Sequence, residues 1–281
     1  MRNTTRLAVL AAAVAATFAF VAPASRAATW APAATASIHP GVMTVTSIGQ
    51  CTANFVFTQG SAVYIGQASH CGSMGQDTDL NGCTTPSIPL GSAVQIGASQ
   101  TGTLVYSSWR AMQAAGESDP DTCTSNDFAL VQIATADVGS VNPSIPHWGG
   151  PKGINTTGAP LGSTVYSYGN SSLRLGITLL SPKLGISLGD DNKWAHNVST
   201  ITPGIPGDSG SAFLDGSGRA LGVLQSIAVG TPYGVWNGVT DIGNEVAYAQ
   251  THGFPNLALV DGTEPFNGTQ LPLDLNNPLG G

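Results

Sequence analysis

From Val42 onward, β-type side chains recur at alternate positions: Val42, Thr44 and Thr46, then Phe55 and Phe57. Runs of β-type residues follow at 62–65, 93–96, 102–106, 128–133, 163–168, 173–180, 212–214 and 220–227. Turn residues such as Gln59-Gly60 separate them. Short strands at such spacing predict barrels or sandwiches rather than alternating strand–helix units. One stretch departs from this pattern. Residues 244–252 carry Glu245, Val246, Ala247, Tyr248, Ala249 and Gln250, with Gly253 as a stop, and predict a single C-terminal helix. Residues 140–160 hold Pro143, Pro146, Gly149, Gly150, Pro151, Gly153 and Pro160, the best candidate for a connector between two halves.

Composition sharpens this picture. The 281 residues include 36 Gly and 18 Pro, which suit many tight turns. Only 9% are charged, which excludes a coiled coil. The 42% hydrophobic content is enough to build a core. Nine Lys and Arg against 16 Asp and Glu give a formal charge of -7, so neither nucleic acid nor an acidic membrane is an expected partner.

The N-terminus reads as an address. Arg2 and Arg6 precede an apolar run over 7–21, and Ser25-Arg26-Ala27 ends in small residues. We read 1–27 as a secretory signal peptide, because the run is too short for a bilayer. Residues 28–41 read as a loose leader or short pro-segment. No second long apolar run follows, so a secreted, extracellular monomer is expected. Export makes four cysteines, Cys51, Cys71, Cys83 and Cys123, a disulfide set with three possible pairings. The two sequential loops, Cys51–Cys71 and Cys83–Cys123, are the expected pairing. Zinc would need closer Cys pairs or His partners in pattern. Asp77-Thr78-Asp79-Leu80-Asn81-Gly82 opens like a calcium loop, yet Ile88 stands where the closing Glu belongs, so it reads as a polar turn and no metal is expected.

Three motifs carry chemistry together: Ala68-Ser69-His70-Cys71-Gly72, Asn126-Asp127-Phe128-Ala129-Leu130-Val131 and Gly207-Asp208-Ser209-Gly210-Ser211-Ala212. Each alone fits a common turn or a structural site. Jointly, in the order His, Asp, Ser, they resemble the secreted serine proteases of the chymotrypsin/trypsin superfamily, in a bacterial-type member. The resemblance runs from about Val42 to the predicted helix. It implies an all-β fold of two six-stranded antiparallel β-barrels, over 42–145 and 146–253, with the site between them, one C-terminal helix and a tail over 254–281. It implies an endopeptidase acting on protein or peptide substrates through an acyl-enzyme without a cofactor. His70 would be base and acid, Asp127 the orienter, Ser209 the nucleophile, and the amides of Gly207 and Ser209 the oxyanion hole. The cysteine of the His-Cys dipeptide bonds an upstream partner in such proteins, a place that Cys51 fits.

The pattern departs from the family in three places. Ser211 follows Gly210 where a second Gly is common. No Ile-Val-Gly-Gly-like start exists, so activation by a freed amine pairing with Asp208 is not expected. Pro203 stands where trypsin-like members carry a pocket acid, which predicts preference for apolar or small residues before the cut. A rival motif, Gly185-Ile186-Ser187-Leu188-Gly189, matches a nucleophile elbow, but a turn over 189–192 is expected after it instead of the required helix.

Overall fold

The computed structural model describes residues 29–76, 79–232 and 234–275. The expected signal peptide and the Asp77-Thr78 opening of the calcium-like loop lie outside the described residues.

The first half holds β1 (Met43–Val45), β2 (Gln50–Thr52), β3 (Val56–Gln59), β4 (Ala62–Ala68), β5 (Ala93–Ile96), β6 (Gln100–Ser107), α1 (Ser108–Ala115), α2 (Pro120–Ser125) and β7 (Phe128–Gln132). The second holds β8 (Thr164–Tyr168), β9 (Pro182–Asn192), β10 (Ala195–Thr200), β11 (Ala212–Asp215), β12 (Ala220–Gly230), β13 (Gly234–Asp241) and α3 (Ile242–Thr251), followed by β14 (Ala258–Leu259). All named strand pairs are antiparallel. The second half closes as a six-stranded barrel in the order β10-β13-β12-β11-β8-β9. The first half is a curled sheet of eight strands, β14-β3-β4-β7-β6-β5-β1-β2, rather than six. Its extra edge comes from the tail: β14 pairs with β3, and Val260 N–H donates to the Val56 carbonyl at 2.9 Å. A paired edge cannot recruit another chain, so the tail protects a strand that would otherwise be open.

Among the described residues, each half has an apolar cluster of its own, and a third cluster spans both. Phe55, Phe57, Phe128 and Leu130 of the first pack in the same cluster as Trp148, Tyr166, Leu214, Val223, Ile242 and Val246 of the second. Trp148 lies in the connector and is fully buried. Its indole N–H donates to the Ser167 carbonyl at 2.7 Å, and its ring meets Tyr166 edge-on at 4.9 Å. The buried tryptophan thus satisfies its one donor while filling the seam.

Several local expectations change. Residues 29–41 are docked: Ala31 N–H donates to the Val141 carbonyl, and Ile38 is fully buried. The expected strand over 173–180 is a one-turn helix, Ser172–Arg174, followed by Leu175 at φ 53°. Leu173 and Leu175 are exposed, because the segment turns to deliver Arg174 inward (below). The expected turn over 189–192 belongs to the long strand β9. Ser187 is buried there with its hydroxyl donating to the Ala159 carbonyl at 2.6 Å, so no nucleophile elbow forms. Helices α1 and α2 were not foreseen. The N-cap of α1, Ser107, is itself the last residue of β6, which hides the signal inside a β-run. The Asp119-Pro120 start of α2 is a legible cap, with the Asp119 carboxylate accepting from Thr122 N–H at 2.9 Å.

The disulfides are Cys51–Cys71 and Cys83–Cys123. The second spans 40 residues and ties α2 to the loop before β5. Constraining a loop of that length in the unfolded chain stabilises by about 4 kcal/mol. Replacing both Cys83 and Cys123 by Ala should lower the unfolding free energy by roughly that amount in denaturant titrations, with a folded barrel retained.

Candidate active site

Strand pairing brings the first two motifs together. Strands β4 and β7 are neighbours in register, with Ala68 opposite Phe128. The residues just past the end of β4 and just before β7 must therefore meet. His70 sits in a single 3-10 turn, Ser69–Gly72, that follows β4, and Asp127 immediately precedes β7. Ser69 N–H donates to the Asp127 carbonyl at 3.1 Å, and the Ser69 hydroxyl donates to the Phe128 carbonyl at 2.8 Å. Asp127 accepts twice from His70: Oδ1 from the backbone N–H at 2.8 Å and Oδ2 from Nδ1 at 2.6 Å. The carboxyl is wholly buried, while the imidazole keeps 17% exposure. With Nδ1 engaged as donor, Nε2 is the nitrogen left to accept a proton.

Burial lowers the His70 pKa more than any other single influence. The charge and hydrogen bond of Asp127 together outweigh it, and the net direction is up from 6.5.

The third motif is the turn before β11. Asp208 N–H donates to the Ile205 carbonyl, Ser211 N–H to the Asp208 carbonyl and Gly210 N–H to the Leu224 carbonyl. Among the described residues, the amides of Gly207 and Ser209 make no hydrogen bond. Two backbone positions here need glycine. Gly207 has φ 92°, and a Cβ would stand 2.4 Å from Gln50 Oε1. Gly210 has φ 88°, and a Cβ would stand 2.5 Å from the Thr52 carbonyl. The turn is bolted to the first half: Thr52 N–H donates to the Ser209 carbonyl, and the Thr52 hydroxyl and Gln50 amide donate to the Gly207 carbonyl. Ser209, Gly207 and His70 all line one cleft of about 570 Å3.

Asp208 anchors this turn from behind. Its carboxylate is fully buried and takes a fork of two bonds from Arg174, at 2.6 and 2.8 Å, plus Lys183 Nζ at 3.0 Å. Burial raises the Asp208 pKa, but the bonds and charges of Arg174 and Lys183 prevail and hold it below 3.8. Lys183 is itself fully buried, and desolvation brings its pKa down despite Asp208. Its ammonium also reaches the Thr202 and Pro203 carbonyls at 3.4 and 3.3 Å. Sequence reading missed both cations. Arg174 was hidden in a segment read as a strand, and Lys183 opens β9 as an ordinary β-flanking lysine.

The cleft wall also differs from expectation. Pro203 turns its carbonyl to Lys183, while Gly204, Ile205 and Pro206 line the cleft. Leu224, Gln225, Ser226 and Ile227 of β12 face them, with Asn237. Asn237 is buried and engaged: Oδ1 accepts from Gly204 N–H at 2.8 Å and Nδ2 donates to the Ser226 carbonyl at 3.0 Å. Asp79 and Leu80 line the cleft from the segment after Cys71. Among the described residues, the grouping of potential metal ligands is Cys51, His70 and Cys71, whose two sulfurs are bonded to each other. That arrangement leaves no thiolate to offer a metal.

No family model matches the chain, and no curated protein does. Solved structures do share its fold. Protease A of Thermobifida fusca superposes with a TM-score of 0.51 at 21% identity, covering 80% of this chain and 99% of that one. A Nocardiopsis protease gives 0.51 at 19% identity, covering 79% and 98%. A chymotrypsin of Cellulomonas bogoriensis gives 0.50 at 18% identity, also covering 79% and 98%. This chain therefore shares the two-barrel fold of these bacterial chymotrypsin-like proteases, seen here as a closed six-stranded barrel beside a curled sheet, with a helix following the last barrel strand.

Proposed function

We propose that the protein is an exported serine endopeptidase that cleaves peptide bonds through His70, Asp127 and Ser209. The observation that carries this reading is the His70–Asp127 pair, buried on the Asp side, opening onto the same cleft as Ser209. A neutral serine hydroxyl is a weak nucleophile and needs a base at the moment of attack. In this reading Ser209 Oγ bonds to the scissile carbonyl carbon as His70 Nε2 takes its proton. The carbonyl π electrons move to oxygen, and the amides of Gly207 and Ser209 stabilise that oxyanion. Collapse breaks the C–N bond, His70 returns the proton to the leaving amine, and water repeats the sequence on the acyl-enzyme. Asp127 holds the imidazole tautomer and stabilises the imidazolium; these roles follow the worked triad template.

The Arg174–Asp208–Lys183 cluster supports activity without a freed N-terminal amine. A cation already occupies the place where such an amine would pair, so the turn carrying Gly207 and Ser209 is held in the single chain. Both disulfides suit an oxidising compartment and support export, as does the N-terminal pattern. Among the described residues, no helix is long and apolar enough to cross a membrane. The cleft walls favour an apolar residue before the cut. Ile205, Pro206, Leu224 and Ile227 supply apolar surface, and the Asn237 amide is committed to backbone. A Lys or Arg side chain buried against those four residues would lack an anion beside it, since Asp79 lines the cleft from the separate segment after Cys71.

Four outcomes follow from this reading. A fluorophosphonate should label Ser209, and Ser209→Ala should lower kcat by roughly 10⁶ while peptide binding persists. Loss of hydrolysis without loss of binding separates the enzyme from a peptide-binding homologue. Raising pH deprotonates His70, so kcat/KM should climb with a midpoint above 6.5, and a flat profile from pH 5 to 8 would remove His70 as base. A peptide library should show Leu, Phe or Met before the cut favoured over Lys and Arg by at least about tenfold, and the reverse order would refute the pocket assignment. Asp208→Asn should destabilise by about 3–5 kcal/mol at pH 7, because it strands two buried cations. Asp208 has a lowered pKa in the folded chain, so its contribution exists above pH 3.8 and disappears as pH falls through the folded value. That acid-side component should be missing from the stability curve of the Asn variant.

A further inference from the structure

A second carboxyl stands against the backbone of Asp127. Glu245 lies in the first turn of α3 and is fully buried. Its Oε1 accepts the backbone N–H of Asp127 at 3.0 Å, a contact across 118 residues of chain. Its Oε2 is buried with no hydrogen-bond partner of its own among the described residues. The Thr240 hydroxyl stands beside the carboxyl.

The groups facing it come from every neighbouring element. Asp127 approaches from the start of β7 and Asp241 from the N-cap of α3. Tyr106 approaches from β6, and its hydroxyl, like that of Tyr248 on α3, lacks a hydrogen-bond partner among the described residues. The charged neighbours that act on Glu245 are both acids, and no cation acts on it. Burial is the largest influence on its pKa, and the charges of Asp127 and Asp241 add to it. Together they overcome the Thr240 hydroxyl and the Asp127 N–H and hold the carboxyl protonated well above its ordinary 4.5. An ionised, unpaired carboxylate at this depth would be strongly unfavourable, so a neutral acid is the form the site accepts.

We propose that Glu245 is a positioning residue for the triad: its carboxyl, hydrogen-bonded to the Asp127 backbone, fixes the angle at which the Asp127 side chain meets His70. This rests on the reading of His70, Asp127 and Ser209 as catalytic. The physical argument is one of leverage. Asp127 begins a strand, and its carbonyl is already tied to Ser69 N–H. The hydrogen bond from the Asp127 N–H to Glu245 Oε1 ties the preceding peptide plane as well, which restrains the φ and ψ of that residue. A tilt there would lengthen both bonds from His70, of which the 2.6 Å contact at Nδ1 sets the imidazole tautomer. Protonation matters as much as position. A gln side chain keeps the acceptor and the neutrality, whereas Asp withdraws the acceptor by one methylene and Leu removes it.

The test compares Glu245→Gln, Glu245→Asp and Glu245→Leu in the full folded enzyme. Two readouts are used: steady-state kinetics, and proton NMR of the low-field His70 Nδ1–H resonance with the His70 titration. Glu245→Gln should keep kcat within about threefold of wild type. Glu245→Asp and Glu245→Leu should lower kcat by about tenfold or more with KM within about twofold, as expected for misaligned chemistry rather than lost binding. Both impaired variants should also shift the Nδ1–H resonance. Should Glu245→Leu fail to fold, the contrast between the Gln and Asp variants decides the matter. An Asp variant with unchanged kcat and resonance overturns the proposal, as does a Gln variant as impaired as the Asp variant. Failure of the underlying reading looks different: wild-type hydrolysis would then be insensitive to Ser209→Ala, whatever Glu245 does.

Discussion

The structure turns on one buried carboxylate held between two cations. Asp208 has no exposure, and neither has Lys183; Arg174 keeps only 12%. A buried anion without partners would be strongly unfavourable, so the chain must bring cations to it. Three distant segments are organised by that requirement. The 172–175 turn abandons strand geometry to present Arg174, β9 begins where Lys183 can reach inward, and the 202–203 backbone points its carbonyls at the same ammonium. The turn that carries Gly207 and Ser209 is thereby fixed from behind, while Gln50 and Thr52 hold it from the front. Close packing enforces the arrangement: a Cβ on Gly169 would sit 2.4 Å from the Asp208 carboxylate.

Three buried carboxyls near the cleft have separate fates, set by what surrounds each. Asp208 meets two cations and stays ionised to unusually low pH. Asp127 meets a histidine, whose pKa it raises while holding the ring. Glu245 meets acids, hydroxyls and one amide, and burial with those charges pushes its pKa well above 4.5. Residue type alone does not distinguish them. The difference between them follows from the sign and distance of neighbouring charge.

The seam between the halves combines a shared apolar cluster with hydrogen bonds that cross it, and this suits a site assembled from both. His70 and Asp127 belong to the first half, Ser209 and Glu245 to the second. Phe128, Trp148, Val223 and Val246 lock the halves together, so the relative placement of these side chains is set by a close-packed core rather than by a loose hinge. The tail contributes on the far side. Phe266 packs edge-on against Tyr166 at 5.1 Å, and Asn267 N–H donates to the Trp148 carbonyl.

Much of this was legible along the chain. Alternation placed most strands, the run before Gly253 placed α3, and the two expected cysteine pairs are those that form. The His, Asp and Ser motifs could be picked out because each is short and local, and the pairing of β4 with β7 needs only that two predicted strands be neighbours. Other features stayed hidden where distant contacts overrule local preference. Leu173, Leu175, Ile177 and Leu180 read as a strand, yet an ion pair to residue 208 bends them into a turn. Nothing along the chain marks Lys183 or Glu245 for the interior, yet both are fully buried. The candidate motifs and the tendency of most segments to extend or coil could be read along the chain, because those depend on neighbours a few positions away. Which charged groups are buried together, and hence which carboxyl has its pKa lowered and which raised, is set by the tertiary fold, because it depends on groups from 25 to 118 residues apart meeting where water is excluded.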